Sequence, residues 1–266
     1  MQKILLIPDC HFPYVDTSAF NCMLNAARSI KPDTVIILGD FFDFFAISQH
    51  RKDPWRKLDL ASEIASGNGG LKQIEALGAK RKIFVEGNHE ERLQRFLADA
   101  GSDVIRALGP SGLIKANTLP EVLNLKQRGW EWVPYRKHLK VGKLYVTHDV
   151  GKAGANAHVD AESVFQGNCV IGHTHRIATA VKGNLKGKGH VSAMLGWLGS
   201  FDDIDYMHRA RAARDWAHGF GIAYMDEATE HVFLNVVNIV NNRCVVDGKI
   251  FTDKTDTKRK VKKNAA

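Results

Sequence analysis

Side chains that bind metal ions or move protons follow short apolar runs at five places in this 266-residue chain. They are carboxylates, imidazoles and one amide: Asp9, His11, Asp40, Asp43, Asn88, His89, His148, His173 and His175. In the stretches PDCH and GHTH the ligand types are two residues apart, so in extended chain both members of a pair point the same way. Oxygen and imidazole ligands without thiolates suit Mn²⁺, Fe²⁺ or Zn²⁺ and argue against a structural zinc site. The alternative is that these residues only cap strands and form turns.

Three apolar runs must position the first six of these residues. The stretches KILLIPD, DTVIILGD and RKIFVEGN are short, rich in β-branched residues, and end in Asp or Gly-Asn. They predict buried strands with chemistry at their carboxyl ends, where open α/β sheets form their sites. Between the first two, Asp16 caps a predicted helix with one apolar face, which gives a right-handed βαβ unit.

Further helices are predicted between the second strand and about residue 127. Residues 55–77 have a helical pattern that SGNGG, at 66–70, is expected to interrupt. A helix follows the GNHE tetrad, with Leu93, Phe96 and Leu97 as its apolar residues, and short helices are expected after it.

The second half of the chain is rich in strand patterns. HLKVGKLYVTHD predicts two strands, and NCVIGHTH, GHVSAMLGWLG, FGIAYMD and EHVFLNVVNIV predict one each, with a helix in AGANAHVDAESVF. This change from βα alternation to strands predicts mixed sheets packed together and covered by helices, a four-layer α/β/β/α sandwich. We expect one domain at 1–251 and a basic, disordered C-terminal tail at 252–266.

The ordered set D-x-H, G-D-x-x-D, G-N-H-E, a lone histidine and G-H-T-H resembles the calcineurin-like metallophosphoesterase superfamily. Each motif is weak by itself, but five in the family's order make a specific signal that runs from the N-terminus to about His175. The resemblance implies the sandwich already predicted and a catalytic centre with two metal ions. The stretches GDFFDFFAISQHRKDP and WAHGFGIAYMD also look similar to phage-encoded and prophage-encoded members.

The family pattern assigns the metal ligands residue by residue. One ion would take Asp9, His11, Asp40 and His175, and the other Asp40, Asn88, His148 and His173, so that Asp40 bridges them. The resemblance implies divalent ions, for which we expect Mn²⁺, with Fe²⁺, Zn²⁺ and Ni²⁺ as alternatives, and a metal-bound hydroxide as nucleophile.

The same resemblance gives His89 and Asp43 catalytic roles. His89 would protonate the leaving oxygen, and Asp43 would accept its other N–H and keep the ring oriented. The alternatives are that His89 only donates a hydrogen bond to phosphate and that Asp43 only caps a helix.

One departure from the family concerns phosphate binding. The Ser/Thr protein phosphatase branch continues its second motif with Arg-Gly, whereas this chain has Phe-Phe after Asp43. Arg51, Arg92 and Arg176, each close to a motif, are candidates to replace that clamp, with surface ion pairs as the alternative.

The amino-acid composition indicates which partners and which cellular compartment to expect. The net charge is +8, of which the tail at 252–266 carries +4, from six cations and two anions. This tail and Arg209, Arg211 and Arg214 are candidates to contact a polyanion, although a solubilising terminus and an exposed helix explain them as well. Four scattered cysteines fit reduced thiols, and no run fits a signal peptide or membrane span, so we expect a cytoplasmic protein, in a host bacterium if phage-encoded.

Three functions remain open at this point. The first is a dinuclear-metal phosphodiesterase acting on nucleotide or nucleic-acid phosphodiesters. The second is a phosphomonoesterase, including a protein phosphatase, which would share every metal ligand. The third is a non-catalytic nucleic-acid-binding protein that keeps structural metals. The expected partner is a phosphoester substrate, without a membrane and with the oligomeric state left open.

Overall fold

The computed structural model describes residues 1–49, 59–99, 118–183, 189–203 and 215–254, and the account below concerns those residues. Two mixed sheets lie face to face, with helices against both outer faces. The four-layer α/β/β/α sandwich expected from the sequence is therefore confirmed.

The first sheet contains six strands, in the order β11-β10-β1-β2-β3-β4. Their bounds are β1 Gln2–Ile7, β2 Thr34–Ile37, β3 Arg81–Val85, β4 Trp130–Val133, β10 Gly219–Met225 and β11 Val232–Asn238. Strands β1 to β4 are parallel, and β10 pairs antiparallel with β1. The carboxyl ends of the first three predicted strands therefore meet at one edge.

The second sheet contains five strands, in the order β5-β6-β7-β9-β8. Their bounds are β5 Leu139–Val141, β6 Leu144–Thr147, β7 Asn168–Ile171, β8 Ile177–Gly183 and β9 Gly189–Leu195. Strands β6, β7 and β9 are parallel, and the outer strands are antiparallel to their neighbours. A separate hairpin joins β12 Arg243–Val246 to β13 Lys249–Thr252.

Five α-helices are described. They are α1 Thr17–Ile30, α2 Leu60–Glu75, α3 Asn88–Asp99, α4 Leu119–Val122 and α5 Ala157–Phe165, with a short 3₁₀ turn at Phe45–Ile47. The predicted cap of α1 is present, because the Asp16 carboxylate accepts a hydrogen bond of 2.8 Å from the Ala19 N–H. None of these helices is long and apolar enough to cross a bilayer.

Successive side chains of a buried strand pack on opposite faces of the sheet and so contact different layers of the sandwich. In β1, Leu5 and Ile7 face the helices, while Ile4 and Leu6 enter the core between the sheets. All four side chains are fully buried, which is why this strand reads as a continuous apolar run. Burying one such side chain contributes about 1.5–3 kcal/mol. The register of the first sheet is thereby fixed, and with it the position of the polar residues that follow.

The glycine run in α2 does not interrupt the helix, so that part of the prediction was wrong. The helix is continuous because the glycines allow close packing instead of a turn. A Cβ added to Gly67 would lie 2.0 Å from the Phe42 ring, and one added to Gly70 would lie 2.4 Å from the Phe12 ring. Phe12 and Phe42 neighbour His11 and Asp43, so α2 supports the two loops that carry these residues. The first residues of the predicted element, 55–58, lie outside the described part.

This packing predicts opposite effects for two neighbouring substitutions. Gly67→Ala forces the Phe42 ring to move and should lower the free energy of unfolding by about 1–3 kcal/mol. Gly69→Ala lies on the same helix with nothing within 4 Å of its Cβ, so it should raise stability by up to about 1 kcal/mol. Urea unfolding of the two variants measures both effects. Equal stability of the two would show that α2 does not rest on Phe42.

The remaining features are the four cysteines and the end of the last strand. All four cysteines are buried free thiols, and Cys22 of α1 lies 3.5 Å from Cys244 of β12, between the two sulfur atoms. Strand β13 ends at Thr252, one residue beyond the expected domain boundary, and residues 255–266 lie outside the described part.

Candidate metal centre

The loops that follow five strands meet at one edge of the sandwich. Asp9 and His11 follow β1, Asp40 follows β2, and Asn88 begins α3 directly after β3. From the second sheet, His148 follows β6, and His173 and His175 follow β7. The seven residues predicted as ligands are thus brought together by the parallel strands of both sheets.

The backbone of this edge is unusual. Five of the seven residues have positive φ: Asp9 at 26°, Asp40 at 47°, His11 at 52°, His175 at 57° and His173 at 65°. Non-glycine residues in this region cost roughly 1–3 kcal/mol each and cluster at functional sites. The fold therefore holds these side chains in place against local backbone preference.

Asp9, His11 and His175 form the first ligand group, whose ligand atoms all lie within 4.8 Å of one another. His11 Nδ1 lies 3.0 Å from Asp43 Oδ2, and a carboxylate can only accept, so Nδ1 carries the hydrogen. His11 Nε2 then presents its lone pair to His175 Nε2, at 3.0 Å. His175 Nε2 is also 3.6 Å from Asp9 Oδ1.

Asp40, His148 and His173 form the second group, and the Asn88 amide oxygen joins it. His148 Nδ1 donates to the Leu38 carbonyl at 2.7 Å, so Nε2 is the nitrogen that faces the other ligand atoms. Burial alone would lower the pKa of His148, but the Asp40 carboxylate raises it to about 10, so this Nε2 carries a proton until a metal ion displaces it. That Nε2 faces Asn88 Oδ1 at 3.0 Å and Asp40 Oδ2 at 3.3 Å. One ring nitrogen and two oxygens therefore converge on one point.

This donor set fits divalent cations. Two ligand atoms each about 2.1 Å from one ion lie about 3.0 Å apart when the angle at the ion is a right angle. The contacts between His11 and His175, and between His148 and Asn88, have this separation. Each of these pairs is joined by a hydrogen bond, and when the shared proton leaves, the lone pairs of both atoms become available to a cation.

The pKa values of the two carboxyl groups, Asp9 and Asp40, are shifted in opposite directions. Burial raises the pKa of Asp9 to about 7, and the neighbouring Asp40 charge adds to this effect, whereas His148 opposes it. Burial would also raise the pKa of Asp40, but His148, His89 and His11 hold it well below its usual range. Asp9 thus lacks sufficient positive charge from the protein around it, which a bound cation would supply.

His89 lies beside both groups and forms a third possible ligand group with His11 and Asp40, whose ligand atoms also lie within 4.8 Å of one another. Its contacts differ in one respect from the sequence prediction. The nearest acceptor to its Nδ1 is the Asp43 backbone carbonyl, at 2.9 Å, whereas the Asp43 carboxylate lies at 3.4 Å. The carboxylate is closer to His11, as described above. On the other side of the ring, His89 Nε2 lies 3.8 Å from Asp40 Oδ2. Asp43 therefore holds two imidazoles, one through its side chain and one through its backbone.

Arg92 is the arginine that reaches this centre within the described residues. Its guanidinium donates to His89 Nε2 at 3.0 Å and to the Asp43 carbonyl at 2.8 Å. Arg176 instead lies 3.7 Å from Asp215 and donates to the Ala153 carbonyl. Arg51, like Arg209, Arg211 and Arg214, lies outside the described residues.

Glu90 and Gly87 build the scaffold, a role that the sequence prediction did not assign. The fully buried Glu90 carboxylate accepts hydrogen bonds from the backbone N–H groups of Asp40, Phe42 and Gly87, at 2.8–2.9 Å. A Cβ on Gly87 would lie 2.2 Å from Asp40 Oδ1. The GNHE tetrad thus needs glycine for close approach and glutamate to tie two loops together, and its fixed spacing is the signal for both.

Two tryptophan rings pack against the imidazole of His175. Its ring stacks on Trp197 at 4.7 Å between centroids, and the edge of Trp216 lies 4.4 Å away. Trp197 is fully buried. A metal-binding histidine is usually oriented by a hydrogen bond from its second nitrogen, whereas here the stacked ring fixes the imidazole plane. No short motif marks these tryptophans, and only their proximity in the fold brings them to the centre.

A four-layer sandwich with candidate metal ligands at the carboxyl ends of strands from both sheets is typical of the metallophosphoesterase fold. The model of the calcineurin-like phosphoesterases matches residues 2–225, and the chain belongs to this family. The family resemblance predicted from the motifs is confirmed.

The chain is similar to two phage proteins along most of its length. It is 25% identical over 268 residues to the gene 54 protein of Mycobacterium phage L5, which covers 94% of this chain and 98% of the relative. It is also 25% identical over 266 residues to the gene 54 protein of Mycobacterium phage D29, with the same coverage. The similarity to phage-type members is confirmed.

Among solved structures, the chain is similar to a single mutant of Vps29 from Entamoeba histolytica. The TM-score is 0.46 and the identity 12%, over 94% of this chain and 97% of the other. Vps29 from Chaetomium thermophilum gives the same TM-score at 10% identity. At this level the likeness adds nothing about activity.

Proposed function

We propose that the protein is a dinuclear-metal phosphodiesterase that hydrolyses nucleotide or nucleic-acid phosphodiesters. One observation carries the proposal: two groups of metal-capable side chains lie beside an imidazole and a guanidinium, those of His89 and Arg92. Such a combination of metal ligands, a proton-transfer group and an anion-binding cation serves phosphoryl transfer.

Each ligand has a distinct place in this proposal. Asp9, His11 and His175 would hold one ion, and Asn88, His148 and His173 would hold the other. Asp40, which belongs to the second group and lies near His11 of the first, would serve both. The ions, when bound, supply a water of lowered pKa as nucleophile and neutralise charge on the phosphoryl oxygens. We propose Mn²⁺, because a mixed oxygen and imidazole site accepts it, with Fe²⁺, Zn²⁺ or Ni²⁺ according to supply.

His89 handles the proton of the leaving group. Because Nδ1 faces the Asp43 carbonyl, Nε2 is the nitrogen that faces the centre and can carry a proton to the leaving oxygen. Arg92 donates to that same Nε2, so before His89 can act as an acid the guanidinium must move aside and Nε2 must take up a proton from solvent. We propose that an incoming phosphoryl oxygen draws the guanidinium away, which binds the substrate and frees His89 in one step.

The surroundings of Asp43 favour a diester over a monoester. The next residue, Phe44, is fully buried and stacks on Phe42, so no cation stands where the protein phosphatases have their arginine. A phosphodiester carries one negative charge and a monoester up to two at neutral pH. A centre with Arg92 as its arginine is therefore better matched to the singly charged group.

The phage relatives support the choice of substrate and place of action. Proteins of this length and similarity are encoded by phages, which replicate in the host bacterium. We infer that the protein acts in the host cytoplasm, where nucleic acids and nucleotides are abundant phosphodiesters. The formal net charge of +8 agrees with a polyanionic substrate.

Hydrolysis of two nitrophenyl esters tests the proposal. Metal-stripped protein resupplied with Mn²⁺ should hydrolyse bis-nitrophenyl phosphate faster than nitrophenyl phosphate. Without added metal it should hydrolyse neither ester. A preference for the monoester would favour the phosphomonoesterase instead. Bound metal with no turnover of any phosphoester, together with metal-independent DNA binding, would favour a non-catalytic nucleic-acid-binding protein.

A further inference from the structure

Helix α3 carries residues of the metal centre at its start and a second set of side chains on its following turns. Asn88 and His89 occupy the first turn, and Arg92, Arg95 and Phe96 follow at the spacing that places residues on one side of a helix. The side chains of the two arginines are 16% and 54% exposed, so they lead from the buried centre to the surface. This side of α3 thus connects the reacting groups to solvent.

A cavity of about 330 Å³ lies against this side of the helix. Its other wall is the segment that follows Asp43, and it is lined by Ile47, Ser48, Gln49, Arg92, Arg95, Phe96 and Asp99. Arg92 belongs both to this cavity and to the centre, since its guanidinium contacts His89. The cavity therefore adjoins the proton-transfer group through Arg92, and its size is at the lower end of ligand-binding cavities.

The cavity combines an apolar ring with polar groups. Phe96 is 43% exposed although it was expected to pack with Leu93 and Leu97, so its ring is available on the surface. Arg95 beside it is paired with Glu91. On the opposite wall, the Gln49 amide donates to Asp99 at 2.8 Å, which leaves the amide oxygen as an acceptor.

We propose that this cavity binds a nucleobase attached to the scissile phosphate. The base stacks on Phe96, Arg95 contacts the base face or the adjoining phosphate, and Gln49 and Asp99 meet the polar edge of the base. This inference rests on the proposed function for the position of the phosphate, but the cavity and its ligand class are tested separately. A free nucleotide and one unit of a strand would present the same chemistry.

Binding of product-like ligands tests the cavity without hydrolysis. With Mn²⁺-loaded protein, adenosine monophosphate should bind roughly tenfold tighter than ribose phosphate, because the base adds stacking on Phe96. Phe96→Ala should remove that preference, while Phe96→Tyr, which keeps a ring, should retain it. Thermal unfolding of each variant checks that the fold is intact, as expected for an exposed side chain.

Two results would overturn the inference. One is equal binding of adenosine monophosphate and ribose phosphate to the wild-type protein, and the other is an undiminished preference in Phe96→Ala. Failure of the proposed function looks different, because it appears as lack of metal-dependent turnover of bis-nitrophenyl phosphate by the wild-type protein. Comparing a dinucleotide with a ten-nucleotide strand then distinguishes the sources: tighter binding of the strand identifies nucleic acid, and equal binding identifies small nucleotides.

Discussion

Asp40→Asn should abolish metal-dependent hydrolysis of bis-nitrophenyl phosphate, with a loss in kcat of at least about 1,000-fold. Asp40 belongs to the second ligand group and also lies within reach of His11 of the first. Its Oδ2 lies 3.3 Å from His148 Nε2, and its Oδ1 accepts a hydrogen bond of 2.9 Å from the backbone N–H of His89. An amide keeps the shape and one acceptor but removes the charge, so both ions lose affinity. Steady-state kinetics and elemental analysis of the purified variant measure the two effects.

A matched control tests whether an Asp→Asn substitution elsewhere in the protein has the same effect. Asp202→Asn changes the same chemistry at an exposed position and should leave both kcat and the metal content unchanged. If Asp40→Asn binds two ions per chain and retains wild-type activity, Asp40 does not bridge the centre.

His89→Gln should lower kcat by about 100-fold to 10,000-fold on a nucleoside diester without changing the metal content. The loss should be much smaller on bis-nitrophenyl phosphate, because nitrophenolate leaves without needing a proton. A phosphate-binding role for His89 would instead give the same loss on both substrates. The comparison of leaving groups therefore decides between the two roles of this residue.

The control for this variant is His231→Gln. His231 is exposed, with Lys143 as a neighbour at 3.5 Å, and should tolerate the substitution without loss on either substrate. Loss of bound metal in His89→Gln would contradict the account, since it would make His89 a ligand. The nearness of His89 to His11 and Asp40 makes this outcome measurable.

The apolar runs and the order of the motifs predicted most of the fold. They also predicted that the candidate ligands lie together at one edge of the sandwich. The buried strands β1, β2 and β3 each end in a continuous apolar run, and such a run can be recognised from the local sequence alone. The same holds for α1, whose Asp16 cap and apolar face are both local signals. Each motif then follows its strand, so the strand prediction also positions the chemistry.

Elements that depend on long-range packing were not predicted. Strand β4 follows predicted helices and is recognised only by its pairing with β3, and β8 is a half-exposed edge strand. Glycines in α2 looked like an interruption because their reason, contact with Phe12 and Phe42, lies far away in sequence. The hairpin of β12 and β13 was also missed, although its Asp247-Gly248 turn is a strong local signal.

The contacts around the ligands could be predicted only in part. Arg92 was one of three candidate arginines, and nothing in the sequence shows that its guanidinium reaches His89. Likewise, the Trp197 ring meets His175 only because β9 lies beside β7 in the second sheet. Residue types therefore indicate the chemistry, while the partners that orient them come from the packing of both sheets.

The central claim is that the centre holds two catalytic ions, and a titration of metal-stripped protein with Mn²⁺ tests it most directly. Hydrolysis of bis-nitrophenyl phosphate is followed as Mn²⁺ is added to a known concentration of protein well above the dissociation constants. The account predicts that activity rises until about two ions per chain are bound and then stays constant, in keeping with the two ligand groups. Full activity at one ion per chain, or activity independent of Mn²⁺, would contradict it.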